Sequence, residues 1–146
     1  MYYMSISKER DVEQVQQFTN KAGLEAEAAD IQAGKFVLLK DEKGDLLGLI
    51  GLEMCGEYGL LRSFAFLPES QAQIPALFET ILAIAKESGA KQVFLASNKF
   101  QAVSFFEALQ FEKWGIKQLP DRLLKSPLVE KVCTMNEVYF MSRRII

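Results

Sequence analysis

The residues best placed to do chemistry are Glu53 and Arg62, a carboxylate and a guanidinium that lie in two neighbouring apolar stretches. Gly56-Glu57 between them predicts a two-residue turn, which places Glu53 opposite Leu60 and Arg62 one diagonal step away on the same sheet face. A carboxylate at such a position can accept a proton, and a guanidinium can hold the carboxylate of a ligand. The two residues can equally form a cross-strand ion pair that orders the sheet, so both interpretations stay open.

The composition excludes several kinds of site. The sequence of 146 residues contains no histidine, which excludes an imidazole base, a histidine ligand to zinc and a histidine-based triad. The two cysteines, Cys55 and Cys133, have neither a disulfide framework nor metal-ligand spacing, so we expect no metal site. A formal net charge of -2 argues against a nucleic-acid or membrane partner. Because the sequence shows no signal peptide and no apolar run of membrane-spanning length, it predicts a cytoplasmic protein.

The elements that must position these residues follow from the spacing of apolar residues along a single predicted domain, residues 1–146. Strands are predicted over Met1–Ser7, Phe36–Lys40, Leu46–Met54, Tyr58–Leu67, Gln92–Ser97, Phe111–Ile116 and Glu137–Ser142. Helices are predicted over Lys8–Ala22, Leu24–Ala33, Pro75–Ser88 and Gln101–Leu109. Gly48 and Gly51 interrupt the third strand, where we expect a bulge or a close backbone approach.

This order predicts an α/β fold with a mixed, mostly antiparallel sheet and helices on both faces. The strand–helix–strand crossover makes Tyr58–Leu67 and Gln92–Ser97 parallel neighbours. Where the carboxyl ends of such a pair splay apart, a cleft opens in which small ligands bind.

Three sequence blocks, taken in order, resemble the GCN5-related N-acetyltransferase (GNAT) superfamily. Gly51-Leu52-Glu53 with Leu60–Phe66 resembles its GLE…LLRSxAV signature, and Asn98–Phe111 resembles its N…A..FYE.LGF block. The segment Leu119–Arg143 is similar to an LP…S.EF..LCP..A..M.R ending, which marks a branch of amino-acid acetyltransferases.

The resemblance implies an acetyl-CoA-dependent N-acetyltransferase that acts on the primary amine of a small molecule, an amino acid or a mimic of one. The resemblance implies that the amine attacks the thioester directly. In the functional interpretation of the Glu53 and Arg62 pair, Arg62 holds a substrate carboxylate and Glu53 accepts the amine proton, directly or through water. The resemblance places the coenzyme in the cleft between the parallel strands, against Phe64, Ala65, Phe66, Gln71, Ala72, Gln73, Ile74, Ala76, Asn98, Phe105 and Phe106.

Three positions depart from the pattern of this family. The predicted pyrophosphate loop, residues 71–76, has no glycine and contains Pro75, which lacks an N–H group. Phe106 stands where many members carry a tyrosine that protonates the departing thiolate, and Gln110 stands where glycine is usual. An alternative function is therefore a catalytically silent GNAT fold that binds a metabolite or a protein partner.

Several further residues carry two interpretations each. Ser63 either orients a substrate or is a small residue beside the cofactor, and Asn98 either contacts the cofactor or caps the following helix. Tyr58 and Tyr139 are either replacement acids or half-buried packing residues. The apolar side chains of the late strands, Phe111 and Trp114 among them, could serve a homodimer contact.

Overall fold

The structure, a computed structural model, describes residues 1–135 and 137–145. The strands are β1 (Tyr2–Ile6), β2 (Phe36–Asp41), β3 (Leu46–Cys55), β4 (Tyr58–Phe66), β5 (Gln92–Ser97), β6 (Glu112–Trp114) and β7 (Tyr139–Arg144). The α-helices are α1 (Val12–Lys21), α2 (Ala28–Gln32), α3 (Ile74–Glu87), α4 (Phe100–Ala108), α5 (Asp121–Leu124) and α6 (Pro127–Val132). Short 3-10 helices span Glu9–Asp11, Pro68–Gln73 and Ile116–Gln118.

The strands form one mixed sheet in the order β1-β2-β3-β4-β5-β7-β6. The pairs β1–β2, β2–β3, β5–β7 and β6–β7 are antiparallel. β4 and β5 are parallel, with Tyr58–Leu60 in register with Gln92–Phe94. The predicted fold class is therefore confirmed, including the parallel pair.

The chain divides into two compact units, and the division falls within β3, β4 and α3. The first unit comprises Met1–Leu52 and Arg62–Ile81, and the second comprises Glu53–Leu61 and Leu82–Ile146. The single domain predicted for residues 1–146 stays a prediction.

The core of the first unit joins α1 and α2 to β2 and β3. Its buried cluster contains Val15, Ile31, Phe36, Leu38, Leu46 and Leu49, with Val12 and Phe18 packed against it. The helical spacing of Val12, Val15 and Phe18 explains why α1 forms, because it places all three on one face. Lys40 of β2 is also buried, and its Nζ lies 2.9 Å from Asp11 Oδ1.

The core of the second unit joins β5 and β7 to the short helices α5 and α6. Its buried cluster contains Cys55, Leu60, Phe94, Leu119, Leu123, Val129 and Phe140. Trp114 packs edge-on against Phe94 with ring centroids 5.2 Å apart.

The structure differs from the predicted elements in several places. The second helix begins at Ala28 rather than Leu24, because the carbonyls of Glu25 and Ala26 accept hydrogen bonds from side chains elsewhere in the fold. Residues 119–132, for which no helix was predicted, contain α5 and α6, whose apolar residues complete the core of the second unit. The sixth strand is only three residues long and ends before Gly115.

Two glycines of β3 let other backbone segments approach closely, as the sequence predicts. A Cβ atom at Gly48 would lie 3.0 Å from Phe66 Cβ. A Cβ atom at Gly51 would lie 2.8 Å from Phe36 Cε1 and 3.2 Å from the carbonyl oxygen of Arg62. Both positions therefore need glycine for the carboxyl-terminal part of β4 to lie where it does.

Candidate functional site

The carboxyl-terminal part of β4 contains an unusual backbone conformation at Ser63. Its φ angle is 54°, in the left-handed region that non-glycine residues rarely adopt. The Ser63 hydroxyl donates a hydrogen bond of 2.8 Å to the carbonyl of Glu25, in the segment between α1 and α2. Such strained conformations persist only where surrounding contacts enforce them, and they are common at ligand sites.

The three residues that follow Ser63 are half-buried and belong to the predicted cofactor segment. The rings of Phe64 and Phe66 stack at 5.3 Å, and Phe64 meets Phe78 of α3 edge-on at 5.0 Å. These contacts fix the two phenylalanine side chains in the first unit. The carbonyl oxygen of Ala65 lies 3.2 Å from where a Cβ at Gly48 would stand. The backbone of this stretch is thus closely packed against β3.

The predicted pyrophosphate loop is helical rather than open. Residues 71–73 end the 3-10 helix Pro68–Gln73, and α3 begins at Ile74, whose N–H donates to the carbonyl of Gln71. In a 3-10 helix each later N–H pairs with a carbonyl three residues back, so these amides face the helix itself. Ser70 is buried and donates to the carbonyl of Leu47 at 3.1 Å. Without glycine, the segment continues into α3 as one helical stretch, and the prediction of a loop at residues 71–76 is wrong.

The side chains of this stretch differ in exposure. Ile74 is buried in the core, whereas Gln71 and Ala72 are exposed and Gln73 and Ala76 are half-buried. The glutamine side chains are therefore the polar groups that this stretch presents to solvent.

Glu53 and Arg62 are both half-buried, and they lie in different units of the chain. The Cys55 thiol donates a 3.6 Å hydrogen bond to Glu53 Oε2, a geometry that fixes one carboxylate oxygen. The backbone of Arg62 is held by its close approach to Gly51. Their predicted placement on one sheet face stays a prediction.

Asn98 is exposed and lies in the bend between β5 and α4. The N-cap residue of α4 is Lys99, and its N–H donates to Ser97 Oγ at 3.2 Å. The alternative that Asn98 caps this helix is therefore wrong, whereas its contact with a cofactor stays a prediction.

The predicted aromatic residues of the second unit form a packed group. Phe106 of α4 is buried, and Phe105 is half-buried with its ring 5.3 Å from that of Phe106. Phe111 lies 6.3 Å from Phe106, again edge-on. A buried phenylalanine at position 106 supplies apolar surface and no proton.

The two tyrosines considered as replacement acids both have packing contacts. Tyr58 meets Phe94 edge-on at 5.9 Å, and Lys91 Nζ lies 5.5 Å from its ring centroid. Lys91 also pairs with Glu57 at 2.9 Å, and this hydrogen bond lowers the pKa of the Glu57 carboxyl. Tyr139 lies 5.9 Å from the ring of Phe100. These contacts favour the packing interpretation of both tyrosines.

Among the described residues, Gln110 is the second non-glycine residue in the left-handed region, with a φ angle of 71°. The N–H of Phe111 donates to the carbonyl of Phe106, and the N–H of Gln110 donates to that of Glu107. This is the Schellman ending of a helix, in which the left-handed position is usually glycine. The sequence signal for this helix ending is the resemblance itself, since the GNAT block usually has glycine at the position that Gln110 occupies here.

Within residues 1–135 and 137–145, no group of three or more histidine, cysteine, aspartate or glutamate side chains could hold a metal ion. A helix long and apolar enough to cross a membrane is likewise absent from these residues.

Solved structures show which fold this is. The chain superposes on N-acetylglutamate synthase from Neisseria gonorrhoeae, complexed with coenzyme A and N-acetyl-glutamate, with a TM-score of 0.81 and 17% identity. That match covers 100% of this chain and 35% of the synthase, so the chain spans about a third of that protein. An acetyltransferase of the GNAT family from Staphylococcus aureus matches with a TM-score of 0.76, 14% identity and 100% coverage of both chains. The chain has the GNAT fold.

Further comparisons agree with the GNAT fold. Rv2747 from Mycobacterium tuberculosis, in complex with CoA and NLQ, matches with a TM-score of 0.80 and 17% identity over 99% of both chains. The uncharacterized protein YwlB of Bacillus subtilis (strain 168) is 25% identical over 127 residues, or 86% of this chain and 85% of YwlB. No family model matches the sequence.

The sequence predicted this GNAT fold but missed two of its local features. The first is the left-handed conformation of Ser63 together with the hydrogen bond from Ser63 to Glu25. Residue spacing gives no signal for it, because the two bonded residues are 38 positions apart. The second missed feature is the 3-10 helix Pro68–Gln73, whose last residues were predicted to belong to a loop before α3.

Proposed function

We propose that this protein is an acetyl-CoA-dependent N-acetyltransferase that acts on the primary amine of a small molecule, an amino acid or a mimic of one. The observation that carries the proposal is the match, over at least 99% of the chain, to two structures that hold coenzyme A. Residues 1–146 would act as a single domain in the cytoplasm.

The backbone of Phe64–Phe66 is our candidate for the contact with the pantetheine arm. The left-handed conformation of Ser63 sets the direction of the backbone at Phe64–Phe66. The rings of Phe64 and Phe66 are already fixed by packing, so the backbone groups between them are preorganised. Pairing along a strand would hold the pantetheine amides without requiring any particular side chain. Asn98, Phe105 and Phe106 are the proposed cofactor residues of the second unit.

The phosphate contacts would differ from those of a glycine-rich loop. Since the amides of residues 71–73 belong to a 3-10 helix, we assign the phosphate donors to the side-chain amides of Gln71 and Gln73. Each carries two N–H donors, and Gln71 is exposed. The proposed roles of Ala72, Ile74 and Ala76 are then only to shape this end of α3.

The proposed reaction forms a bond from the amine nitrogen to the acetyl carbon and breaks the bond from that carbon to sulfur. The half-buried carboxylate of Glu53 would accept the amine proton, directly or through water, with one oxygen held by the Cys55 thiol. Phe106 cannot protonate the thiolate, so the thiolate departs unassisted or takes a proton from water. Most of the rate would come from holding the amine and the thioester together.

Arg62 would bind the carboxylate of an amino-acid acceptor. Hydrogen bonds between charged groups contribute about 1.5–3 kcal/mol, so losing them should raise the acceptor KM by about 10- to 100-fold. The complex of N-acetylglutamate synthase with N-acetyl-glutamate makes glutamate a suitable first acceptor to test.

The test is release of free CoA thiol from acetyl-CoA across a panel of amino acids, comparing the wild type with Arg62→Ala. Arg10→Ala, which removes an exposed arginine of the 3-10 helix Glu9–Asp11, is the matched control. We expect a raised acceptor KM in Arg62→Ala and no change in Arg10→Ala. An unchanged KM in Arg62→Ala would remove its assigned role. If no amine in the panel is acetylated, the catalytically silent alternative replaces the proposal.

A further inference from the structure

Strand β1 is an edge of the sheet, because β2 is its neighbour on one side and the strand order begins with it. Its sequence, Tyr-Tyr-Met-Ser-Ile, contains no charged residue, proline or glycine. Edge strands of monomeric proteins are usually protected by such residues, since a free edge pairs readily with another chain.

Large apolar side chains of β1 are exposed to solvent. Tyr2 is 43% exposed, Tyr3 is 45% exposed and Ile6 is 50% exposed. Because alternate residues of a strand point to opposite faces, Tyr2 and Ile6 share one face of β1 and Tyr3 lies on the other, so both faces of this strand carry exposed apolar side chains. The strand at the other end of the order, β6, is only three residues long and begins Glu112-Lys113, so it follows the usual protective pattern.

The backbone of β1 has alternate residues available for pairing. Ser7 donates its N–H to the carbonyl of Phe36, so the residue just after β1 faces the β2 side. In an antiparallel ladder this direction alternates, so Ser5 and Tyr3 also face β2. Tyr2, Met4 and Ile6 therefore direct their N–H and C=O groups away from the sheet.

We propose that β1 pairs antiparallel with β1 of a second copy of this chain, about a two-fold axis at Met4. In that register Met4 faces Met4 of the second copy, and Tyr2 faces Ile6. All three outward-facing residues then form hydrogen-bonded pairs, which gives six inter-chain hydrogen bonds. A strand that lacks charge is self-complementary, because no like charges meet across the axis.

This surface differs from the one that the sequence indicated. The apolar residues Phe111 and Trp114 lie in the second unit, where Phe111 is buried and Trp114 packs against Phe94. The proposed interface lies wholly in the first unit and does not depend on the proposed acetyltransferase activity.

The first test is the oligomeric state by sedimentation equilibrium, at protein concentrations up to about 1 mM. The wild type should be dimeric at the upper concentrations. Ile6→Lys places a charge at the exposed edge, and it should raise the dimer dissociation constant about tenfold or more. Leu124→Lys makes the same change at an exposed leucine of α5 and should leave the dimer intact.

Met4→Pro provides a second variant, which changes the backbone and also removes the 3.4 Å hydrogen bond from Thr80 Oγ1 to Met4 Sδ. Proline removes an N–H that points away from β2, so the β1–β2 ladder stays intact while the axial pair is lost. Hydrogen exchange should show protection of the Ile6 amide that increases with wild-type concentration and disappears in Met4→Pro. A monomeric wild type at about 1 mM, or an undiminished dimer in Ile6→Lys, would overturn the proposal.

Discussion

Single residues carry the strain in this fold. Ser63 and Gln110 both have positive φ angles, and neither is a glycine. A non-glycine residue in this conformation costs about 1–2 kcal/mol. The two positions differ in compensation, because the Ser63 hydroxyl bonds to the Glu25 carbonyl whereas Gln110 ends a helix that glycine would end without strain.

Gln110→Gly should stabilise the protein. Relief of the left-handed strain exceeds the entropy that glycine loses on folding, so the free energy of unfolding should rise by about 0.5–1 kcal/mol. Urea denaturation with an unchanged m-value measures the effect. Gln101→Gly, on an exposed turn of the same helix α4, is the control and should lower it by about 1 kcal/mol. If Gln110→Gly and Gln101→Gly lower the free energy of unfolding equally, the assignment of strain to position 110 is contradicted.

Two substitutions at Ser63 separate its hydrogen bond from its backbone conformation. Ser63→Ala removes the bond to Glu25 and keeps the strain, so it should lower the free energy of unfolding by about 1 kcal/mol. Ser63→Gly removes the same bond but relieves the strain, so it should be close to neutral. Thermal unfolding of the two variants side by side provides the comparison. An alanine variant as stable as the wild type would show that the bond contributes nothing.

At the scale of elements, a buried ion pair joins the 3-10 helix Glu9–Asp11 to β2. The side chains of Lys40 and Asp11 are only 11% and 6% exposed, and Nζ lies 2.9 Å from Oδ1. Burial acts to raise the pKa of Asp11, but hydrogen bonds from Lys40 and from the Lys8 amide outweigh it and lower the pKa below 3.8. Because the pKa of Asp11 is lower in the folded protein than in the unfolded chain, its charge stabilises the folded protein at pH values above the unfolded-state pKa. This stabilisation is lost as the pH falls through the folded-state pKa.

Asp11→Asn should therefore destabilise the protein at pH 7, by about 3 kcal/mol, because Lys40 is left buried without its carboxylate. The difference between the wild type and Asp11→Asn should shrink as the pH falls below 3.8. Urea denaturation at a series of pH values measures this difference. A difference that stays constant from pH 7 to the acid limit would contradict the role of the Asp11 charge.

The sequence predicted elements where local pattern decides them. β5 was predicted with its observed bounds, Gln92–Ser97, because a short apolar run between turn residues has few alternatives. The start of α2 was missed, since Gln16 and Ser63 bond to carbonyls of the segment before it and local propensity cannot reveal those partners. The loop predicted at residues 71–76 was wrong for a different, local reason: without glycine, these residues continue into α3 as a helix.

The sequence predicted which elements carry several of the candidate site residues. Arg62, Ser63 and the phenylalanines after them lie on β4 as predicted, and Phe106 is buried as its apolar character requires. What the sequence could not provide is how these residues are held. The bond from Ser63 to Glu25 depends on tertiary structure, and the thiol bond from Cys55 to Glu53, although local to β3, depends on the side-chain conformations of both residues.

At the scale of the whole molecule, the GNAT fold is shared with proteins solved in complex with coenzyme A, while the segment after β4 departs from the pattern that usually binds the pyrophosphate. The proposed function requires that the backbone of Phe64–Phe66 and the side chains of Gln71 and Gln73 compensate for that departure. Coenzyme binding is thus the property on which the proposed function depends.

Calorimetric titration of the full chain with acetyl-CoA and with CoA tests this claim most directly. The proposed function predicts saturable binding of one coenzyme per chain with a dissociation constant below about 1 mM, within the usual range for enzyme substrates. Gln71→Ala with Gln73→Ala should weaken that binding, while Gln17→Ala, which removes an exposed glutamine of α1, should not. If a chain shown to be folded gives no saturable heat with either coenzyme at about 1 mM, the proposed function is contradicted.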